Sequence, residues 1–206
     1  ITVVANAVGA HVSPGNKPGF RAKWGIADDC VLAVSIGSLI PRKRMGLLLQ
    51  AFSEAYSVCP QLRLVIVGSG PLADELTREA GRLNIGEVVH FTGARNDARD
   101  ILAEADMFVL CSEAAASSYA VLESMSAGIP SVLTAAGAAD EQVVDGKSGY
   151  VVRGGDASEV AQRVVVLARD RELRRRLGAE ASNRWSQFYR VEVSARRHHE
   201  MLAELA

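Results

Sequence analysis

Three consecutive basic residues lie where a bound phosphate would explain their presence. Arg42, Lys43 and Arg44 lie in the segment PRKRMG, residues 41–46, at the start of a helical pattern. Cations are unfavourable beside the positive end of a helix dipole. The cluster therefore indicates either a bound dianion, for which the lysine ammonium acts as a point charge, or a solvated basic turn.

One carboxylate, Glu123, follows a loop of very small residues. The stretch CSEAAASSYAVLESMSAGIPSVL at 111–133 predicts a strand, then that loop, then a helix over 118–127 capped by Ser117 or Ser118. Small side chains let main-chain N–H groups approach a ligand, and helix N-termini favour anions. Glu123 then lies in the second helical turn, where it either contacts part of a ligand or simply faces solvent.

The elements that must position these residues alternate between strands and helices. Five apolar runs predict strands, and several are continuously apolar, which is typical of parallel strands buried on both faces. They are residues 31–37, 63–68, 88–93, 107–112 and 130–135, with a short further strand expected after Asp145 and Gly146. This pattern predicts a doubly wound, Rossmann-like α/β domain with a helical C-terminal tail from Arg171.

Helical periodicity fills the segments between the runs. Pro71 is expected at the first helical position after the second strand. Asp156 and Glu159 form a capping-box pattern that predicts a later helix. The inner faces are predicted to carry Met45, Leu48, Leu49, Phe52, Ala55 and Tyr56 in the first helix, Leu72, Leu76, Ala80 and Leu83 in the second, and Val160, Ala161, Val164, Val165 and Ala168 in the later one.

Right-handed crossovers place all strand-to-helix loops at one edge of the sheet, which we call the rim. The loops are predicted at 37–44, 68–71, 93–97, 112–118 and 134–140, and all but the fourth contain glycine. A rim with several small-residue loops and helix N-termini suits a phosphate-bearing compound, although each glycine could also serve only a tight turn. The segment GSGP at 68–71 is not a complete dinucleotide fingerprint, because Ala73 occupies the place of the third glycine.

Composition excludes several classes of function. The 206 residues are 49% apolar, with a formal net charge of −1 and scattered basic residues, which argues against nucleic-acid or membrane-surface binding. The three cysteines lack metal-ligand spacing and suggest a reduced, cytoplasmic compartment. The four histidines form no metal or base cluster. Because the first residue is Ile1, the chain is expected to be a piece of a longer protein.

Together these segments resemble the C-terminal, donor-binding domain of retaining glycosyltransferases of the GT-B fold, in the family 4 (group 1) enzymes. The stretch GSLIPRKRMGLLLQAF at 37–52 is similar to the family pattern G-R-L-x-P-x-K-G-x-D-x-L-L-x-A-F. VVANAV, VGSGPLADEL, VVHFTG, ADMFVLCS, VLESMSAGIPSV and GAADEQVVDGKSGYVV are similar to further family motifs, in the family's order, from about residue 3 to residue 170.

The resemblance implies a nucleotide-sugar donor, either a UDP-, GDP- or ADP-sugar, lying across the rim, with no metal or other cofactor. Lys43 would hold the diphosphate and Glu123 the ribose hydroxyls, and these two are the implied catalytic residues. The implied donor-binding residues are Gly37, Ser38, Arg42, Gly68, Gly70, Thr92, Gly93, Ala94, Ala115, Ala116, Ser117, Ser118, Tyr119, Val121 and Leu122. Of these, Thr92 to Ala94 would border the base.

Two positions depart from the family pattern. The first acid of the family's glutamate pair falls on Ala115, with Glu113 two residues too early, and the arginine after the first glycine is Ser38. The implied activity is transfer of a sugar to an unknown acceptor with retention of configuration. The alternatives are a non-catalytic binding or partner subunit that has lost this chemistry, and a sugar-nucleotide epimerase of the same architecture.

The resemblance also implies a domain organisation. Residues 1–170 would form the nucleotide-sugar-binding domain, and residues 171–206 the C-terminal helices of the same domain. The acceptor side would belong to an N-terminal domain outside this sequence. A peripheral membrane contact is expected only through that domain. The isolated domain is therefore expected to bind donor without efficient turnover.

Overall fold

The structure, a computed structural model, describes residues 6–10, 19–113, 118–135 and 139–203 of the chain. The predicted Ala115, Ala116 and Ser117, and the glycine loop at Gly137, lie outside the described residues.

Within these described ranges, six parallel strands form one sheet in the order β3-β2-β1-β4-β5-β6. The strands are β1 Val31–Ile36, β2 Leu62–Val67, β3 Val89–Phe91, β4 Met107–Leu110, β5 Ser131–Thr134 and β6 Gly149–Val152. The register pairs Val31 with Leu62 and Phe108 with Ser131. The continuously apolar runs are buried on both faces because helices cover both, and the predicted Rossmann-like fold is confirmed.

Nine helices lie among the described residues. They are α1 Phe20–Lys23, α2 Met45–Val58, α3 Ala73–Arg82, α4 Ala98–Ala103, α5 Tyr119–Ser126, α6 Ala139–Gln142, α7 Ala157–Arg169, α8 Arg171–Phe188 and α9 Val191–Ala203, with a 3₁₀ turn at Pro41–Lys43. The predicted start of α3 at Pro71 is wrong. The N–H of Leu72 donates to the carbonyl of Leu39 at 3.1 Å, which holds Pro71 and Leu72 in a turn before the helix.

Two apolar cores lie on opposite faces of the sheet. Phe52 of α2, Leu76 of α3 and Val160 of α7 belong to one core. Leu102 of α4, Leu122 of α5 and Ala181 of α8 belong to the other. Such a two-sided arrangement follows from right-handed crossovers on both sides of β1, and it places the carboxyl ends of the strands together at the rim.

The helical tail packs back against the sheet's second face. A Cβ added to Gly178 of α8 would lie 2.0 Å from the carbonyl oxygen of Gly128, so the backbone of α8 touches the turn that ends α5. Between α8 and α9, the carbonyl of Tyr189 accepts a hydrogen bond from the N–H of Val8 at 3.1 Å. The predicted helical tail is thus confirmed, and it fixes both α5 and the segment near Val8.

Candidate functional site

Main-chain hydrogen bonds join the loops that follow β1, β2 and β3 into one continuous surface. The N–H of Gly37 donates to Val67 O at 3.0 Å, and that of Leu39 donates to Ser69 O at 2.9 Å. The N–H of Gly68 donates to Gly93 O, also at 2.9 Å. These bonds use the main-chain N–H groups of Gly37 and Gly68, so the backbone of both residues holds the rim loops together.

This close packing explains why two of the predicted donor-binding residues are glycines. A Cβ on Gly68 would lie 1.9 Å from Gly37 O, and a Cβ on Gly70 would lie 2.4 Å from Leu39 O. Real side chains do not tolerate such distances, and Gly68 also has a φ of +149° that favours glycine. The structure therefore gives both residues a packing role between loops.

Lys43 lies beside the β1 loop, as the sequence predicts. Its Cδ and Cε atoms would be 3.7 Å from a Cβ on Gly37, so the lysine stem packs over that glycine. Burial lowers the pKa of the Lys43 ammonium, and the adjacent Arg42 guanidinium lowers it further. Arg42 and Ser38 are exposed at the same edge. An anion bound here would offset both effects on Lys43.

Arg44, by contrast, is engaged in holding the fold. It caps α2 in a left-handed conformation, with φ 46° and ψ 42°. One guanidinium nitrogen donates to Gly155 O at 3.1 Å, and Nε lies 3.8 Å from the Glu113 carboxylate. Of the two arginines that flank Lys43, Arg42 is therefore the exposed one, and among the described residues its guanidinium makes no such long-range contact.

The loops after β1 and β4 meet at the topological switch point of the sheet. The strand order turns there, because β1 has β2 on one side and β4 on the other. The carbonyl of Arg42 accepts hydrogen bonds from the N–H of Glu113 at 2.9 Å and from Ser112 Oγ at 3.3 Å. In open α/β sheets, ligands bind in the crevice at this point, outside the carboxyl ends of the strands.

Helix α5 begins at the same edge. Ser118 is its N-cap, and Ser118 Oγ accepts a hydrogen bond from the N–H of Val121 at 3.4 Å, so this alternative of the predicted cap is confirmed. Tyr119 is 56% exposed and lies at the first helical position. That Val121 and Leu122 contact a donor stays a prediction. Their side chains are buried in the core, and their N–H groups bond to Ser118.

Glu123 is half-buried and faces a cation that the sequence reading missed. Its Oε1 lies 3.9 Å from Arg99 Nε, and another nitrogen of Arg99 donates to Gly9 O at 2.6 Å. Burial raises the pKa of the Glu123 carboxyl, and the Arg99 charge partly opposes this rise. Arg99 Nε is itself buried with no hydrogen-bond partner among the described residues. Only the position of α4 after β3 could have suggested Arg99.

The predicted base-bordering residues lie at the end of β3. Thr92 N donates to Ile66 O at 3.1 Å, and Thr92 Oγ1 donates to Gly93 O at 3.0 Å. Ala94 is exposed beyond them. The structure thus brings Thr92, Gly93 and Ala94 to the same rim as Lys43 and Glu123, on the β3 side of the switch point.

Neither a metal cluster nor a membrane-crossing helix is found in the described ranges. There, no group of three or more His, Cys, Asp or Glu side chains could hold a metal ion. No described helix is both long and apolar enough to traverse a bilayer. The three cysteines are free, and burial raises the pKa of the Cys111 thiol to about 12, as expected of a packing residue.

Comparison with known protein families gives a match over most of the chain. The family described as "Glycosyl transferases group 1" matches residues 16–184. The N-acetyl-alpha-D-glucosaminyl L-malate synthase of Bacillus anthracis is 28% identical over 172 residues, which cover 84% of this chain and 45% of that protein. The GDP-mannose-dependent alpha-(1-6)-phosphatidylinositol monomannoside mannosyltransferase of Mycolicibacterium smegmatis is 33% identical, with 76% of this chain and 43% of that protein covered. The chain spans less than half the length of these two relatives.

Solved structures agree with this result. Anabaena HepE, in complex with UDP and glucose, is 25% identical with a TM-score of 0.82, and the match covers 89% of this chain and 50% of HepE. S. aureus TarM has a TM-score of 0.84 at 18% identity, over 97% of this chain and 38% of TarM, which is a likeness of fold.

Proposed function

The chain belongs to the group 1 glycosyl transferases, and from this membership we propose that it is the donor-binding part of a retaining glycosyltransferase. The donor is a nucleotide sugar, and the acceptor is bound chiefly by an N-terminal domain of the full-length protein. Residues 1–170 form the nucleotide-sugar-binding domain in this proposal, and 171–206 are its C-terminal helices.

The observation that carries the proposal is the placement of Lys43 and Glu123 around the switch point. Lys43 follows β1 and Glu123 lies in α5, which follows β4, and β1 and β4 are neighbours in the sheet. A diphosphate in the crevice between them reaches the lysine ammonium on one side and the N-terminus of α5 on the other. The related HepE structure, which contains UDP and glucose, supports a nucleotide as the ligand.

Each group then has a distinct role. The Lys43 ammonium and the N–H groups of Tyr119 and Ala120, at the start of α5, stabilise the charge that develops on the leaving diphosphate. Glu123, as a carboxylate, accepts hydrogen bonds from the two ribose hydroxyls. The backbone at Thr92 to Ala94 borders the base. The nucleoside diphosphate part of the donor is thereby held at the base, the ribose and the diphosphate, and the anomeric carbon beyond it is presented to the acceptor.

The proposed reaction exchanges one glycosidic bond for another. The bond from the anomeric carbon to the diphosphate oxygen breaks, and the acceptor hydroxyl oxygen forms the new bond on the same face. The hydroxyl proton passes to the leaving diphosphate. The products are a nucleoside diphosphate and a glycoside of unchanged anomeric configuration.

Calorimetric titration of the chain with UDP-glucose, GDP-mannose and ADP-glucose tests donor binding and identifies the base. Transfer is then followed in the full-length protein by NMR of the anomeric proton of the product. We expect one nucleotide class to bind and the product to retain the donor's configuration. Absence of binding by all three in both proteins contradicts the proposal, and an isomerised sugar nucleotide as the product indicates an epimerase instead.

A further inference from the structure

A buried amide side chain holds the residue at which α5 begins. Gln142, at the end of α6, is 2% exposed. Its Oε1 accepts a hydrogen bond from the N–H of Ser118 at 3.2 Å, and its Nε2 donates to Ser118 O at 3.4 Å. A single side chain thus binds both main-chain polar groups of the N-cap residue, which fixes the position and orientation of the helix start.

The C-terminal tail in turn holds the helix that carries Gln142. Arg184 Nε of α8 donates to the main-chain carbonyl of Gln142 at 3.0 Å. Tyr189 Oη donates to the carbonyl of Glu141 at 2.7 Å, and Arg184 also donates to that carbonyl. The Arg184 guanidinium stacks over the Phe188 ring at 5.1 Å from its centroid, which limits the freedom of the side chain.

These contacts form a chain from α8 to the proposed phosphate-facing end of α5. Without the Gln142 amide, the half-buried N–H and carbonyl of Ser118 lose two hydrogen bonds, and the N-cap can shift relative to the β1 loop. Preorganised hydrogen-bond donors act only while they are held in place, and supporting contacts behind them supply that rigidity.

We propose that Gln142 is a positioning residue that aligns the start of α5 with the donor's diphosphate, and that Arg184 maintains Gln142 in this position. The inference rests on the proposed function, because it assigns a supporting role at the same site. It involves no contact between Gln142 and the donor.

The test compares two ligands in the Gln142→Leu variant of the full 206-residue chain. Affinities for a nucleoside diphosphate and for its parent nucleoside are measured by calorimetry, with UDP and uridine as the first pair. We expect UDP affinity to fall by about tenfold, within the roughly hundredfold that a misplacement of about 1 Å can cause. Uridine affinity should change little. Arg184→Met should show the same selectivity with a smaller loss.

Ser124→Ala is the matched control. Ser124 is a buried polar residue of the same helix, and its Oγ lies 3.0 Å from Ser131 Oγ without touching Ser118. It should lower thermal stability while leaving the ratio of the UDP and uridine affinities unchanged. Equal losses of UDP and uridine binding in Gln142→Leu, or the same change of ratio in Ser124→Ala, overturn the proposal.

Hydrogen exchange separates this inference from the proposed function. The amides of the first turn of α5, residues 119–122, should exchange faster in Gln142→Leu than in the wild-type chain, whether or not a nucleotide is present. Unchanged exchange there overturns the inference even when UDP binds well. If the wild-type chain binds no nucleotide, the proposed function is contradicted and Gln142 loses its role toward the donor. Hydrogen exchange still reports whether Gln142 holds Ser118.

Discussion

Nucleotide-sugar affinity is expected to fall at low pH, and we call this part of the pH profile the acid limb. Replacing Arg99 by methionine should move it to higher pH. In the proposed complex Glu123 must be ionised to accept hydrogen bonds from both ribose hydroxyls. Affinity is therefore present above the pKa of Glu123 and lost as the pH falls through it. Burial already raises this pKa, and Arg99 opposes the rise. Removing the guanidinium leaves burial unopposed, so the loss begins at a higher pH.

The distance and exposure of the pair set the magnitude. At 3.9 Å the two charges are close, but the side chains of Arg99 and Glu123 are 39% and 24% exposed, so solvent screens them. Exposed pairs contribute roughly 0.2–1 kcal/mol, and we take about 0.7 kcal/mol for this pair. The acid limb should therefore move to higher pH, and the size of the effect on affinity follows from about 1.4 kcal/mol per tenfold. Below the limb, this corresponds to a roughly threefold weaker affinity.

The assay is calorimetric titration between pH 4.5 and 8 with whichever nucleotide sugar binds most tightly. A nucleotide sugar, whose diphosphate is esterified, is a better probe than a free nucleoside diphosphate. A terminal phosphate titrates at a pH of about 6 and would obscure the acid limb. Glu123→Gln should remove this limb. Arg95→Met is the matched control, because Arg95 lies on the same edge but pairs with Asp97 at 2.7 Å. An unmoved limb in Arg99→Met, or an equal shift in Arg95→Met, refutes the assigned coupling.

Further predictions concern the other side of the crevice and the packing of the rim. Lys43→Ala should weaken nucleotide-sugar affinity by about tenfold, the cost of roughly 1.4 kcal/mol for a charge-assisted contact, and unchanged affinity contradicts its role. Because the pKa of Lys43 is lowered, wild-type affinity should fall as the pH rises towards that pKa, and this limb should be missing from Lys43→Ala. Ala115→Glu in the full-length protein should raise turnover if the chain is a transferase weakened at this position, as measured by product release. Gly70→Ala should lower the free energy of unfolding by about 1–3 kcal/mol, because its Cβ would overlap Leu39 O, and chemical denaturation measures this.

The fold was largely predictable because its signals are local in sequence. Continuous apolar runs mark buried parallel strands, and Ser118 and Asp156 act as the helix caps that the sequence predicted. Pro71 misled for the same reason. Its local preference for a first helical turn gave way to a hydrogen bond between Leu72 and Leu39, which are separated by an entire strand and helix.

The partners of the site residues were not predictable from local patterns. Arg99 and Gln142 lie in the short helices α4 and α6, and although Gln142 falls within a family motif, nothing local in the sequence indicates what either side chain contacts. Each matters only through what the fold brings to it, namely Glu123 and Ser118. Likewise, Val121 and Leu122 match the family motif but face the core. A motif marks a segment near the ligand, whereas the helix rotation decides which of its side chains face that ligand.

Lys43 and Glu123 lie on two sides of the crevice that are held in place by different contacts. The loop of Lys43 is bonded to the β2 loop and the β4 end, and α5 is held through Gln142 by the tail. The two sides of a bound diphosphate are thus supported by different parts of the chain. A change in α8 should therefore alter the α5 side alone and leave the Lys43 contribution intact. Effects of Arg184→Met and Lys43→Ala on UDP affinity should accordingly be additive in free energy, within the roughly 0.5 kcal/mol expected for independent sites. Coupling well above that value would mean that the tail also sets the position of the β1 loop, contrary to the separate supports described above.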